Sequence, residues 1–589
     1  MHNFTEHLET FHRHLRERHV HGMIVPHADC FQGEYVAPCD ERLAWITGFT
    51  GSAGLAIILE HKAALFVDGR YTLQAQKQVS AHSFDILPLT PACIGEWLAT
   101  YSHPGKIILY DPWLHTINQI TEWEKRGHQY GFTLQPCAHN PIDLLWDGRP
   151  DRPKSRIHPH PIEWSGEESH AKRHRVSKIL HNAKVDAVIL ASPESVAWLL
   201  NIRGDDVPHV PVAHAFAILH ADASMDVFVD LHKVDHDVRT YCGDTIRWHC
   251  MTKFIDYFPA LENQQIMLDP SKVPVKVSMD LDHLGINVIY ADDPSVLPRA
   301  IKNTTELKGA HAAHRRDAIA MIHFLSWLSK NAEKEQITEL DAAAYLLAQR
   351  RAQPLFQNLS FGTISAAGPN AAIIHYQPTP TSNAPIKTGQ LYLVDSGGQY
   401  PDGTTDITRT VAIGAPTAEH KDRYTRVLRG HIALAQAVFP RGTSGYQLDG
   451  FARQYLWEAG LDYDHGTGHG VGSYLNVHEG PQGISKRPSN ATLQPGMILS
   501  NEPGYYKPGE YGIRIENLMT VVQSSHRQDA LEFETLTLVP LDRNLIDLDQ
   551  LTTTDCAWVN TYHAHIYKHL SPLVQGSPLE WLRQSTHPL

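Results

Sequence analysis

The sequence predicts a chain of mixed α/β and α+β class. It reads as two N-terminal α/β domains of similar topology, a third domain combining long helices with strand pairs, and a short helical C-terminal extension. Three observations predict this. A short aromatic segment occurs twice with the same strand pattern around it, a polar proline-rich stretch separates the two copies, and glycine-rich or strand-like runs carrying carboxylates gather after residue 390. The length of 589 residues fits about three or four domains.

The repeat sets Ala44-Trp45-Ile46-Thr47-Gly48-Phe49-Thr50-Gly51 beside Ala197-Trp198-Leu199-Leu200-Asn201-Ile202-Arg203-Gly204. A strand-like run precedes each copy (Met23-Ile24-Val25-Pro26 and Ala187-Val188-Ile189-Leu190), and further strand-like runs follow, at 55–59 and 64–68 in the first half and at 215–219 and 226–230 in the second. Helix-patterned segments near 5–18 and 168–183 lead into both. The stretch Asp147-Gly148-Arg149-Pro150-Asp151-Arg152-Pro153 reads as a linker, which divides domain 1–153 from domain 154–303.

At Asn303-Thr304-Thr305-Glu306 a Thr or Asn can cap a long helix starting near 305, with a stripe of Ile319, Ile322, Leu325, Trp327 and Leu328 to bury. A further helix is expected at 339–350, and the domain is taken as 304–525. The tail 526–589, with Trp558, Tyr562 and Trp581, reads as a helical appendage whose aromatics pack within the chain or against another subunit.

Composition narrows the function classes. A hydrophobic fraction of 42% with 20% charged residues describes an ordinary soluble chain. A net charge of -13 without a dominant basic patch argues against nucleic acid as a partner. No stretch is long and apolar enough to span a membrane, and Met1–Gly22 lacks the apolar core of a secretory signal. Seven scattered cysteines without a Cys-x-x-Cys pair fit a reducing compartment, so cytoplasm is expected.

Five residues near the C-terminal end read as one metal site: Asp395, Asp406, His469, Glu502 and Glu516. Four carboxylates and one imidazole suit hard or borderline divalent metals and disfavour a thiolate zinc site. That much negative charge exceeds the need of one dication and favours two, as in dinuclear hydrolases.

Leu391–Asp395 is an apolar strand ending in a carboxylate, and Asp406–Val411 returns after a turn at Pro401-Asp402-Gly403. A wide loop would set Asp395 opposite Asp406, at a Cα separation of about 4.5–5.5 Å. A tight turn at Asp402-Gly403 would leave them on one face, about four residues out of step. In His465-Gly466-Thr467-Gly468-His469-Gly470-Val471-Gly472, glycines at alternate positions cost a helix about 1 kcal/mol each, so the segment is expected to be extended or looped, passing close to a metal or substrate. Ser500-Asn501-Glu502-Pro503-Gly504 puts a carboxylate at a strand-to-turn junction. In Gly512-Ile513-Arg514-Ile515-Glu516 alternation sends the two isoleucines to one face and Arg514 and Glu516 to the other. His375 follows the apolar run Ala371-Ala372-Ile373-Ile374, His478 sits in Asn476-Val477-His478-Glu479-Gly480-Pro481, and both are candidate proton carriers or oxyanion donors beside such a metal site.

The order Asp, Asp, His, Glu, Glu and the words DSGGQYPDGTTDITRT, HGTGHGVGSYLNVHEGP and SNEPGYYKPGEYGIRIEN resemble the pita-bread metallopeptidases, and most closely the aminopeptidase P (Xaa-Pro aminopeptidase) family in its long, three-domain cytosolic form. DERLAWITGFTGSAG, FVDGRY and WLLNIRGDDVPHVPVAHAF extend the resemblance upstream. It implies two creatinase-like N-terminal domains before a pita-bread catalytic domain.

It further implies two divalent metals per subunit, manganese foremost with cobalt or zinc as alternatives. Asp395 would chelate one metal, Asp406 and Glu516 would bridge both, and His469 and Glu502 would complete the second. The implied reaction releases an N-terminal residue that precedes proline, by attack of a hydroxide lying between the metals on the Xaa-Pro carbonyl. His375 and His478 match histidines that assist at the tetrahedral intermediate, His465 matches one at the substrate site, and Arg514 is expected to hold a ligand carboxylate. Arg70 is either a cleft residue, from its own or a partner subunit, or a plain surface arginine. A homodimer is expected. Prolidase, acting on Xaa-Pro dipeptides, and a pita-bread module that binds without catalysis are the alternatives.

Overall fold

The computed structural model describes residues 4–589. Two compact units form: Met1–Pro161 with Glu167–Val296, and Ile162–Gly166 with Leu297–Leu589. No described helix is long and apolar enough to cross a membrane.

The first unit contains two six-stranded sheets of the same design. One is built from β1 (Gly22–Pro26), β2 (Gly54–Leu59), β3 (Ala63–Val67), β4 (Asp85–Pro88), β5 (Lys106–Tyr110) and β6 (Phe132–Pro136), in the order β4-β3-β2-β1-β5-β6. The other uses β7 (Ala187–Leu190), β8 (Ala215–His220), β9 (Met225–Val229), β10 (Ile246–Cys250), β11 (Gln265–Leu268) and β12 (Asn287–Tyr290), in the order β10-β9-β8-β7-β11-β12. In both, the central strand pairs antiparallel on one side and parallel on the other.

The aromatic repeat marks the same point in each sheet. It forms a short helix, Arg42–Thr47 in one copy and Pro193–Leu200 in the other, ended by a left-handed residue, Gly48 (φ 80°) or Asn201 (φ 52°). These are the residue types that adopt positive φ most readily, so the repeat encodes a helix stop.

The second unit opens with the helix Thr304–Asn331, whose first turn is closed by a capping box between Asn303 and Glu306. Ile322, Leu325 and Leu328 are buried in the main core, while Ile319 and Trp327 are only partly covered. Trp327 stacks instead on Tyr345 of the next helix, Glu339–Arg351, with ring centroids 4.2 Å apart.

Three antiparallel strands, Ile364–Ala367, Leu391–Ser396 and Ile407–Ala412, form one sheet. Ile498–Asn501, Asn517–Gln523, Ala530–Thr535 and Phe439–Pro440 form another. The second sheet therefore continues into the 526–589 segment, and the helices of that segment, Thr553–Leu570 and Gly576–Ser585, begin later. Val559, Tyr562, Ile566, Leu570 and Leu582 of these helices enter the main core, so the tail aromatics and leucines pack within the chain.

Candidate metal centre

The five acidic and imidazole residues lie at or next to the ends of strands in the second unit. Asp395 lies near the end of Leu391–Ser396, and Asp406 immediately precedes Ile407–Ala412. Neither of the two expected registers is found. The turn is Pro401-Asp402, with Tyr400 paired to Gly403, and the same register sets Asp395 opposite Thr408. Asp395 and Asp406 thus share a face two residues out of step, because the turn sits one residue earlier than expected. Gly397 is required where the arms pinch together, since a Cβ there would lie 1.9 Å from Thr405 O.

His469 belongs to a short strand, Gly468–His469, paired with Gly483–Ile484. The glycines on either side make room for backbone: a Cβ at Gly468 would lie 2.0 Å from Ser500 O, and one at Gly470 2.0 Å from Glu479 O. Glu502 follows Ile498–Asn501, with its amide donating to Thr467 O (2.8 Å). In the last segment Ile513 and Ile515 are fully buried in the core, and Arg514 and Glu516 turn to the other side.

Asp406, His469 and Glu516 each offer a donor atom within 4.8 Å of the others. His469 Nε2 lies 3.5 Å from both Asp406 Oδ2 and Glu502 Oε1, while Nδ1 is 3.0 Å from Gly470 O. A hydrogen bond from Nδ1 to that carbonyl presents Nε2 toward the carboxylates, the arrangement seen for metal-bound imidazoles.

The electrostatics are those of anions confined together. Burial pushes the Asp395 carboxyl up to about 7, despite the opposing Arg514 guanidinium. Burial raises Glu516 well above the usual carboxylate range, and Asp406, Asp395 and Glu502 raise it further. Burial raises Glu502 as well, against the pull of His469 and Arg514. For His469, burial works downward but is outweighed by Asp406 and Glu502, which lift it to about 9.

Asp395 Oδ1 and Asp406 Oδ1 are buried without a hydrogen-bond partner. Such orphaned oxygens are costly unless a cation takes them. The donor set and its unmet charge fit divalent metal.

Around these residues lies a ring of polar groups. Arg514 Nη2 donates to Asp395 Oδ2 (2.6 Å), Nη1 to the Tyr506 hydroxyl (2.7 Å) and Nε to Thr408 Oγ1 (3.1 Å). Thr408 Oγ1 donates in turn to Glu516 Oε2 (2.9 Å). Tyr506 also contacts His465 Nε2 at 2.8 Å, so it joins the histidine segment to Arg514. His478 packs edge-on against His469, with centroids 4.4 Å apart. His375 follows the helical turn Gly368–Ala372, and the carbonyl of Ala371 in that turn lies against Gly512, two residues from Arg514. Arg70 lies in the first unit, where it pairs with Asp68 (2.6 Å).

Sequence reasoning missed Tyr506 and Thr408. Tyr506 had a usable signal: in Tyr505-Tyr506-Lys507-Pro508-Gly509-Glu510-Tyr511-Gly512 a turn folds the run into a hairpin, and the glycine opposite Tyr506 leaves room for its ring. Thr408 gave none beyond its place two residues after Asp406.

The family models agree with this arrangement. Residues 308–523 match the model of metallopeptidase family M24, residues 7–140 and 148–306 match models of the creatinase/prolidase N-terminal domain, and residues 529–589 match the C-terminal region of peptidase M24. Aminopeptidase P2 of Arabidopsis thaliana is 41% identical over 97% of this chain and 86% of its own length. The crystal structure of X-prolyl aminopeptidase from Caenorhabditis elegans, described as a cytosolic enzyme with a di-nuclear active site, superposes with a TM-score of 0.95 at 32% identity, covering 100% of both chains. A Bacillus anthracis Xaa-Pro dipeptidase, 24% identical with a TM-score of 0.53, covers 64% of this chain and 99% of its own, and shares the fold. The chain belongs to metallopeptidase family M24, with two creatinase/prolidase N-terminal domains ahead of the peptidase domain.

Proposed function

We propose that this chain is an Xaa-Pro aminopeptidase that holds two divalent metals on Asp395, Asp406, His469, Glu502 and Glu516. The observation that carries the reading is the cluster of buried Asp406 and Glu516 with half-buried His469, and the unmet oxygens of Asp395 and Asp406 beside it. Asp406 and Glu516 would serve both metals, Asp395 one of them, and His469 with Glu502 the other. Manganese is the metal we favour, since the set is oxygen-rich and lacks thiolate. Metals bound there supply Lewis-acid polarisation of the scissile carbonyl and a nucleophile active near neutral pH.

The chain's own residues do the rest. Arg514 holds Asp395 through a charge-assisted bond. His478, packed on His469, and His375 are assigned to proton transfer and to hydrogen bonding of the tetrahedral oxygen. His465, oriented by Tyr506, is assigned to the substrate. The bond cleaved has no N–H and a fixed φ on its proline side, so a site that does not depend on gripping that N–H suits it. Arg70, held by Asp68, is proposed as a substrate contact.

Cytoplasm is the proposed location, supported by seven cysteines that all stay unpaired. A homodimer is proposed from the resemblance to aminopeptidase P.

Cleavage of an Xaa-Pro-Xaa tripeptide against an Xaa-Pro dipeptide, in manganese, tests the assignment. The tripeptide is expected to be cleaved and the dipeptide left. Preference for the dipeptide would move the chain to prolidase, and cleavage of neither would remove the enzyme reading.

A further inference from the structure

We propose that Arg409 and Tyr562 are positioning residues for Glu516, which makes the C-terminal helix Thr553–Leu570 a working part of the metal centre. The inference rests on the metal-site reading above.

Arg409 is fully buried. Its Nη1 donates to Glu516 O (2.6 Å) and Thr408 O (2.8 Å), and its Nη2 to Asn517 Oδ1 (2.8 Å), Val539 O (2.7 Å) and the Tyr562 hydroxyl (3.1 Å), while Nε donates to Pro540 O (3.1 Å). Each of these acceptors is uncharged. A guanidinium cannot shed its proton, so it tolerates such a site only when its donors are met. Its fork geometry then fixes the relative positions of everything it touches.

What it fixes is Glu516. Thr408, the residue before Arg409, holds the Glu516 side chain through Oε2, while Arg409 holds the Glu516 carbonyl. One strand therefore grips this residue at both ends.

On its far side Arg409 is anchored by the C-terminal region. Tyr562 lies 3.2 Å from Asn517 Oδ1 and within 3.1 Å of the carbonyls of Thr537 and Val539. Asn517 also meets His431 Nε2 at 3.2 Å, and the other ring nitrogen of His431 lies 3.1 Å from Asn501 O, one residue before Glu502. The residues neighbouring both glutamates are thus tied to one hydrogen-bonded frame, closed by a hydroxyl from the last sixty or so residues.

The test is manganese titration by calorimetry of the metal-stripped full chain as wild type, Tyr562→Phe, Arg409→Lys and Val559→Ala. Val559 is fully buried on the same helix, and its apolar side chain makes none of the frame's hydrogen bonds, so Val559→Ala removes packing alone. The expected result is a manganese Kd about tenfold weaker in Tyr562→Phe, and at least as weak in Arg409→Lys, with a smaller rise of Tm on adding manganese; Val559→Ala keeps the wild-type Kd although its Tm falls. A wild-type Kd in Tyr562→Phe, or an equal weakening in Val559→Ala, overturns the inference while leaving the metal site standing. A wild-type chain that takes up no manganese overturns the metal reading itself, and this inference with it.

Discussion

Arg514 Nη2 lies 2.6 Å from Asp395 Oδ2, yet the Asp395 carboxyl is still pushed up to about 7. Burial and the neighbouring carboxylates of Asp406 and Glu502 outweigh a direct ion pair. One guanidinium is too little positive charge for this cluster, and the deficit is what a divalent metal would make up.

Arg514→Lys should weaken divalent metal binding about 10- to 100-fold. Lysine keeps the charge but cannot serve Asp395, Tyr506 and Thr408 together as the fork does. Metal titration of the stripped protein measures this, and a wild-type Kd in the variant would show that charge alone suffices.

In the metal-free protein the site itself should contribute less to stability as pH rises. Asp395 has a raised folded value of about 7, so its contribution is full below the unfolded carboxylate value near about 4 and is lost as pH rises through 7. His469 is raised to about 9, so its contribution is full below about 6.5 and is lost as pH rises through 9. Metal takes the deprotonated forms, so its affinity should increase across the same window. Melting curves at about pH 6 and about pH 9, with chelator and with manganese, check both signs. A manganese-induced rise in Tm no larger at about pH 9 than at about pH 6 would contradict this account.

His478→Ala should keep its metal and lose about 10²-fold or more in kcat. His478 touches His469 by ring packing and is assigned no metal. Elemental analysis beside turnover decides it, since metal loss would make His478 a ligand.

Much of this was legible in the sequence because local rules carry it. The helix cap at Asn303, the alternation of Ile513 and Ile515 with Arg514 and Glu516, and the duplicated strand pattern around the aromatic repeat all follow from residues within a few positions of one another. The register of Asp395 was not legible, because moving the turn by one residue moves the pairing by two, and Pro401-Asp402-Gly403 supports a turn at either step. Arg409 was read only as a strand residue in Asp406–Val411. Its partners at 516–517, 539–540 and 562 lie more than a hundred residues away, and nothing in its own neighbourhood announces them.

The most direct measurement is divalent metal content per chain in wild type and Glu516→Ala, taken with turnover of an Xaa-Pro-Xaa peptide. Two metals and manganese-supported cleavage are expected in the wild type, with both metal occupancy and cleavage lost in Glu516→Ala. Wild-type metal content and turnover in Glu516→Ala would contradict the central claim.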